Sequence, residues 1–150
     1  MFTGLIIIGA LLALAIATAM ADTVIQGPVD AGKALEAAAV TKTASFNGTG
    51  VDLGAGFAPG GGGQPMDAAV PVTALDFTTT DETYSFKMQE SNDNSTYTDC
   101  SAVVSALTAN VGGSILLTGR VQKRYVRYAL TIAGTSPSIT YGPIYLTPHR

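Results

Sequence analysis

Alternation of apolar and polar side chains sets the reading of this chain. Tyr84, Phe86 and Met88 alternate with Ser85, Lys87 and Gln89, the two-residue period of a strand with one face buried and one wet. Ser91-Asn92-Asp93-Asn94-Ser95 follows at once, a run whose short side chains bond their own backbone and tolerate positive φ. A turn is expected there, and a return strand over residues 96–104. Across residues 124–132, Val126, Tyr128, Leu130 and Ile132 face one way and Tyr125, Arg127 and Thr131 the other. Strands over residues 69–77, 114–118 and 139–146 complete the set. Pro71 marks an edge or bulge in the first of these, and Gly142-Pro143 a bulge or kink in the last. Short strands at this spacing, with turn signals between them and no helical period after Val40, predict an all-β fold, an antiparallel β-sandwich.

The first third of the chain follows other rules. Residues 1–21 carry no charged side chain, and residues 5–21 are an almost continuous apolar run. As a helix the run would be about 25 Å long, short of a hydrocarbon core of roughly 30 Å. Ala19-Met20-Ala21 before Asp22 matches the cleavage pattern of an export signal, whereas Met1-Phe2-Thr3-Gly4 lacks the Lys or Arg that such signals and membrane anchors carry. The opening Phe2-Thr3 and apolar run is similar to type IV pilins, without their early glutamate. Three readings stand: a buried arm or helix in an assembly, a membrane or export signal, and pilin-like packing.

Gly27-Pro28 is a turn signal, the Ala-rich residues 30–40 read as a short helix or ordered arm, and Asn47-Gly48 as a turn. The expected domains are an N-terminal arm or helical extension over residues 1–44 and a β-sandwich over 45–150. Residues 54–67 hold six of the 17 glycines and read as a surface loop, because Gly60 to Gly63 cannot sustain a helix or strand cheaply. No Lys-Ser/Thr follows, so the run is not a phosphate loop.

Composition adds an expectation about association. Charged residues are 13% of the chain, far below the usual level of about 25%, so Thr, Ser, Asn and Gly carry the surface. Such surfaces associate readily, and a homo-oligomer is expected. The net charge of −3 conceals an asymmetry: residues 1–100 hold all eleven acids with Lys33, Lys42 and Lys87, whereas residues 101–150 hold Arg120, Lys123, Arg124, Arg127 and Arg150 and no acid. Charge pairing within the fold or between subunits is one explanation, and a basic patch the other.

Candidate chemistry is sparse. Cys100 is alone, which excludes an intramolecular disulfide, and it reads as a small hydrophobe. His149 is the only histidine, and nothing places it within hydrogen-bond reach of a nucleophile. Neither an enzyme nor a cofactor is expected. Asp93, Ser95 and Tyr97 alternate as calcium ligands would, but the closing position of that frame is Val104 rather than an acid, so a hydrogen-bonded turn is expected and no metal. Arg120, Lys123, Arg124 and Arg127, interleaved with Tyr125 and Tyr128, have the composition of a single-strand nucleic-acid groove. On a strand, however, Lys123, Tyr125 and Arg127 share one face while Arg124 lies on the other, so protein–protein ion pairs are expected and no nucleic acid.

Three segments then carry a resemblance: GVDLGAGFAPGGGGQPMDAAVPVTALDFT from residue 50, ETYSFKMQESNDNSTYTD from residue 82, and RYVRYALTIAGTSPSITYGPIYL from residue 124. Together residues 50–148 resemble the capsid cement, or decoration, proteins of tailed double-stranded DNA phages. The resemblance implies a jelly-roll-like sandwich on the virion's capsid exterior, bridging subunits of the major capsid protein and contacting copies of itself. The expected interface is Leu5, Ile6, Ile7, Ile8, Leu11, Leu12, Leu14 and Ile16 of the apolar run, Phe57 of the Gly-rich loop, and the basic set Arg120, Lys123, Arg124 and Arg127. The alternative is a secreted or membrane-anchored β-sandwich, an adhesion or carbohydrate-binding module.

Overall fold

Two nine-residue strands that show the two-residue period most cleanly form the spine of one sheet. In the computed structural model, which describes residues 33–54 and 63–148, β6 (Thr83–Ser91) and β10 (Tyr125–Ala133) pair antiparallel along their whole length, from Thr83 opposite Ala133 to Ser91 opposite Tyr125. The register sets Met88 beside Tyr128, Phe86 beside Leu130 and Tyr84 beside Ile132. Short strands flank them. β3 (Phe46–Asn47) and β4 (Val51–Asp52) lie along β10, and β7 (Thr98–Asp99) and β8 (Val104–Ser105) along β6.

The second sheet is built on β5 (Gln64–Leu75), the longest strand among the described residues. β9 (Gly113–Val121) pairs with one edge of it, and β11 (Ile139–Tyr141) and β12 (Ile144–Pro148) share the other. Outermost, β1 (Ala34–Glu36) lies on β12 and β2 (Val40–Lys42) on β11. All these pairings are antiparallel. The two sheets pack as a β-sandwich around one core. Val70, Val72, Leu117, Ile139, Tyr141 and Ile144 meet Tyr84, Phe86, Met88 and Tyr128, all almost fully buried. Each such side chain contributes roughly 1.5–3 kcal/mol of transfer free energy.

Several expectations change. Residues 30–40, expected as a short helix or ordered arm, hold the strand Ala34–Glu36 and lead into the strand Val40–Lys42, both part of the sandwich rather than a helix. A helix that short is marginal in water, whereas the ladder to β11 and β12 carries Leu35 into the core, where it is 4% exposed. Residues 64–67, expected in the Gly-rich loop, already belong to β5. Pro71 is central, opposite Ser114 of β9, and the interruption falls on its other side, where Gly142 N–H donates to the Pro71 carbonyl at 2.9 Å. The expected strand over residues 114–118 runs from Gly113 to Val121, and only its alternate side chains are buried: Ile115 and Leu117 point inward while Leu116 is 54% exposed. The return strand after the turn is split into β7 and β8. Gly48 is not set by a turn: a Cβ there would lie 2.5 Å from the Tyr128 ring, so the glycine makes room for that ring.

The two long sides of the sandwich differ. On one, Cys100 N–H donates to the Met88 carbonyl at 3.0 Å and Arg120 N–H to the Cys100 carbonyl at 3.1 Å, and Ser101 bridges Gly119. The segment after β7 thus stitches the edge of one sheet to the edge of the other. On the opposite side β1 and β2 face β3 and β4 across an open seam. A cavity of about 380 Å³ lies there, lined by Leu35, Glu36, Val40, Lys42, Phe46 and Thr49 among others.

Candidate interaction surface

The basic residues singled out by sequence have partners within the fold. Arg124 forks onto Asp52, Nε to Oδ1 at 2.8 Å and Nη2 to Oδ2 at 2.6 Å, joining β4 to the start of β10. Arg127 gives Nε and Nη2 to Gln89 Oε1 at 3.0 and 2.9 Å and lies 3.8 Å over the Tyr97 ring. Gln89 passes its own amide N–H to Asp99, which also pairs with Lys87 at 2.9 Å. Lys123 donates to Thr98 Oγ1 at 2.6 Å. Arg120 sits exposed near the end of β9. The acid-rich first half and the basic second half of the chain are therefore joined by Arg124–Asp52 inside one domain. Lys123 and Arg127 belong to a polar network with Lys87, Gln89, Thr98 and Asp99 on the outer face of the β6–β10 sheet, whereas Arg120 lies on β9 of the other sheet.

The Arg124 fork, with the Gly54 N–H donated to the same carboxylate, holds Asp52 down to about 2 from its ordinary 3.8. A depressed acid stabilises the fold in full where it is ionised in both states, and progressively less as pH falls toward its folded value. The Asp52 contribution is thus complete above about pH 4 and disappears as pH falls through about 2. Carboxyl titration by NMR should place the Asp52 midpoint near 2, and Arg124→Gln should return it toward 3.8. An unchanged midpoint in that variant would show that the pair is not formed.

The turn after β6 satisfies itself. Asp93 accepts from Ser91 Oγ at 2.7 Å, Thr96 N–H at 2.8 Å and Ser95 N–H at 2.9 Å. These donors pull its carboxyl well below the ordinary carboxylate range. Asn94 takes the left-handed φ of 57° that the turn requires. Burial pushes the Cys100 thiol up to about 12, so it stays protonated at neutral pH and is a poor nucleophile.

Sequence reasoning missed two buried acids. Glu90 Oε2 accepts the backbone N–H of Gln122 at 2.6 Å and of Lys123 at 3.2 Å, clamping the turn from β9 to β10. Glu82, at the other end of β6, takes the Thr79 N–H on Oε1 at 3.1 Å, and its Oε2 has no partner among the described residues. The signal was present: positions 82 and 90 extend the inward series 84, 86, 88 at both ends. Also missed was the polar knot at the open seam, where the Tyr128 hydroxyl meets Glu36 Oε2 at 2.7 Å and the Tyr141 hydroxyl at 2.9 Å.

Exposed apolar surface is concentrated on the stitched side. Among the described residues the exposed large hydrophobics are Val103, Leu107, Val111 and Leu116. They fall within an unbroken uncharged stretch, residues 100–119, that runs from β8 through the 3₁₀ turn Thr108–Asn110 into β9. From Leu116 the register continues across the outer face of the β5 sheet to Ala69, Tyr145 and Ala34. Thr118 hydrogen-bonded to Asp67, and Thr41 to Thr140, flank that row. One face of the sandwich is thus charged and internally networked, the other nearly neutral.

Leu5, Ile6, Ile7, Ile8, Leu11, Leu12, Leu14, Ile16 and Phe57, expected at the interface, lie outside the described residues. Among the described residues no helix is long and apolar enough to cross a membrane, and no group of His, Cys, Asp and Glu side chains is arranged to hold a metal ion. No protein-family model matches the chain, and a search of curated proteins finds no match either.

Proposed function

We propose that this protein is a structural component of a virion, which binds the outer surface of the capsid shell and stabilises it by bridging neighbouring major capsid protein subunits. The observation that carries the reading is the division of the surface. Lys87, Lys123, Arg124 and Arg127 are each engaged by partners within the fold, while an uncharged, partly apolar rim and a Thr-, Ala- and Pro-containing sheet face are exposed among the described residues. Such surfaces suit protein contact rather than catalysis. Many identical weak contacts around a shell sum to firm attachment. Under this reading the sandwich is jelly-roll-like and the apolar run of residues 5–21 adds a second point of attachment.

Binding of the purified protein to shells that lack it tests the reading. Saturable uptake and a raised shell melting temperature are expected. Failure of the full chain to bind would sink the proposal. Deletion of residues 1–32, stopping short of β1 at Ala34, should leave the sandwich folded and weaken shell binding by about 100-fold or more, the loss expected when one of two linked attachments is removed. Full occupancy and heat tolerance after the deletion would rule out the apolar run as an attachment.

A further inference from the structure

We propose that the uncharged rim formed by Val103, Leu107, Val111 and Leu116 is the seat for the apolar run, residues 5–21, of a neighbouring copy of this chain. The inference rests on the reading of a multi-copy surface assembly given above. These four side chains are the large hydrophobics that the described sandwich leaves exposed. Around them no charged residue occurs from Cys100 to Gly119. The run itself is uncharged over residues 1–21. A strongly apolar segment requires an apolar cover in water, and this rim supplies one without burying an unpaired charge. The 3₁₀ turn and β8 both lie against β9, so the four side chains come from neighbouring segments at one edge of the sandwich.

Its position points to a second copy. The chain emerges from the described sandwich at Lys33, whose ammonium donates to the Asp52 carbonyl of β4 at 3.1 Å, on the open seam. The rim lies on the stitched side, across the full width of both sheets. Three strand gaps span about 14 Å and the two layers add about 10 Å. The eleven residues from Asp22 to Gly32 reach at most about 36–40 Å when extended, enough to bring the run to a molecule beyond the seam. Serving its own rim would double the segment back around the sandwich. One-way exchange of this kind continues from copy to copy, as a heterologous contact does.

Crosslinking without shells tests this separately from capsid binding. In a Cys100→Ala background, a chain carrying Leu12→Cys is mixed with one carrying Leu116→Cys and treated with a short bismaleimide. A heterodimeric product is expected, and none when the second chain instead carries Thr131→Cys, exposed on the other face. Leu107→Asp and Leu116→Asp, which alter exposed positions, should each weaken self-association by about tenfold or more in light scattering with unchanged circular dichroism. The proposal is overturned if the two partners give no more product than the Thr131 control. It is also overturned if the double variant Leu12→Cys/Leu116→Cys links only within one chain at every concentration, or if the full chain partitions into phosphatidylcholine vesicles instead of self-associating. Crosslinking in a protein that fails to bind shells would leave the rim assignment intact and remove the capsid reading.

Discussion

Tyr128→Ala is expected to lower the unfolding free energy by about 3–5 kcal/mol, the usual cost of deleting a buried aromatic ring. Tyr128 is fully buried and stands where both sheets and the open seam meet. Its ring packs edge-on to Tyr141 at 5.8 Å between centroids and obliquely to Phe46 at 6.2 Å and Phe86 at 6.4 Å. Gly48 leaves a gap that only this ring fills. Its hydroxyl joins Glu36 of β1 to Tyr141 of β11, so truncation also strands a carboxylate contact. Tyr128→Phe separates the two effects: it keeps the ring, loses the hydroxyl, and should cost about 1–3 kcal/mol. Urea unfolding of both variants checks the ranking. A Tyr128→Ala protein within about 1 kcal/mol of the parent would mean the ring is not the hub of the core.

Gly119→Val should cost about 1–3 kcal/mol, the range for forcing atoms into a filled space, and should loosen the stitched seam. A Cβ at residue 119 would sit 2.3 Å from the Cys100 carbonyl oxygen and 3.1 Å from Met88 Cε. That oxygen accepts the Arg120 N–H that joins the two sheets, so it cannot yield without opening the contact. Gly113→Ala in the same strand is the control. Its nearest neighbour is the Asn110 carbonyl at 3.6 Å, an ordinary contact, and its effect should stay within about 0.5 kcal/mol. Equal thermal denaturation midpoints for the two variants would refute the role given to the seam.

What could be read in advance followed from periodicity. β6 and β10 announce themselves because Tyr84, Phe86 and Met88, and Val126, Tyr128 and Leu130, alternate over enough positions to fix face and register. The polar turn at Ser91 to Ser95 was equally legible, since its bonds are local. β1 and β2 were not. Ala34, Ala37, Ala38 and Ala39 favour helix on intrinsic grounds, and only pairing with strands about a hundred residues later overrides that preference. Nor could the start of β5 be separated from four preceding glycines by pattern alone. For the candidate surface, the partners of the basic residues could not be foreseen, because Lys123 and Arg124 fall in the turn before β10 and Arg124 and Asp52 are 72 residues apart. The exposed rim escaped for a related reason. Val103, Leu107 and Val111 look like core residues until the fold shows that β8 and the 3₁₀ turn leave them outside.

The pairing of β1 with β12 has a mechanical consequence. Any pull on the N-terminal segment reaches the sandwich at Ala34, directly opposite Tyr145 of the last strand. A load directed along the strand axis falls on the β1–β12 bonds together, in shear, rather than unzipping them singly. From β12 it passes to β5 and then to β9, so tension crosses one sheet from edge to edge. The β6–β10 sheet is joined to that path through side chains, Lys33 to the Asp52 carbonyl and the Tyr128 hydroxyl to Glu36.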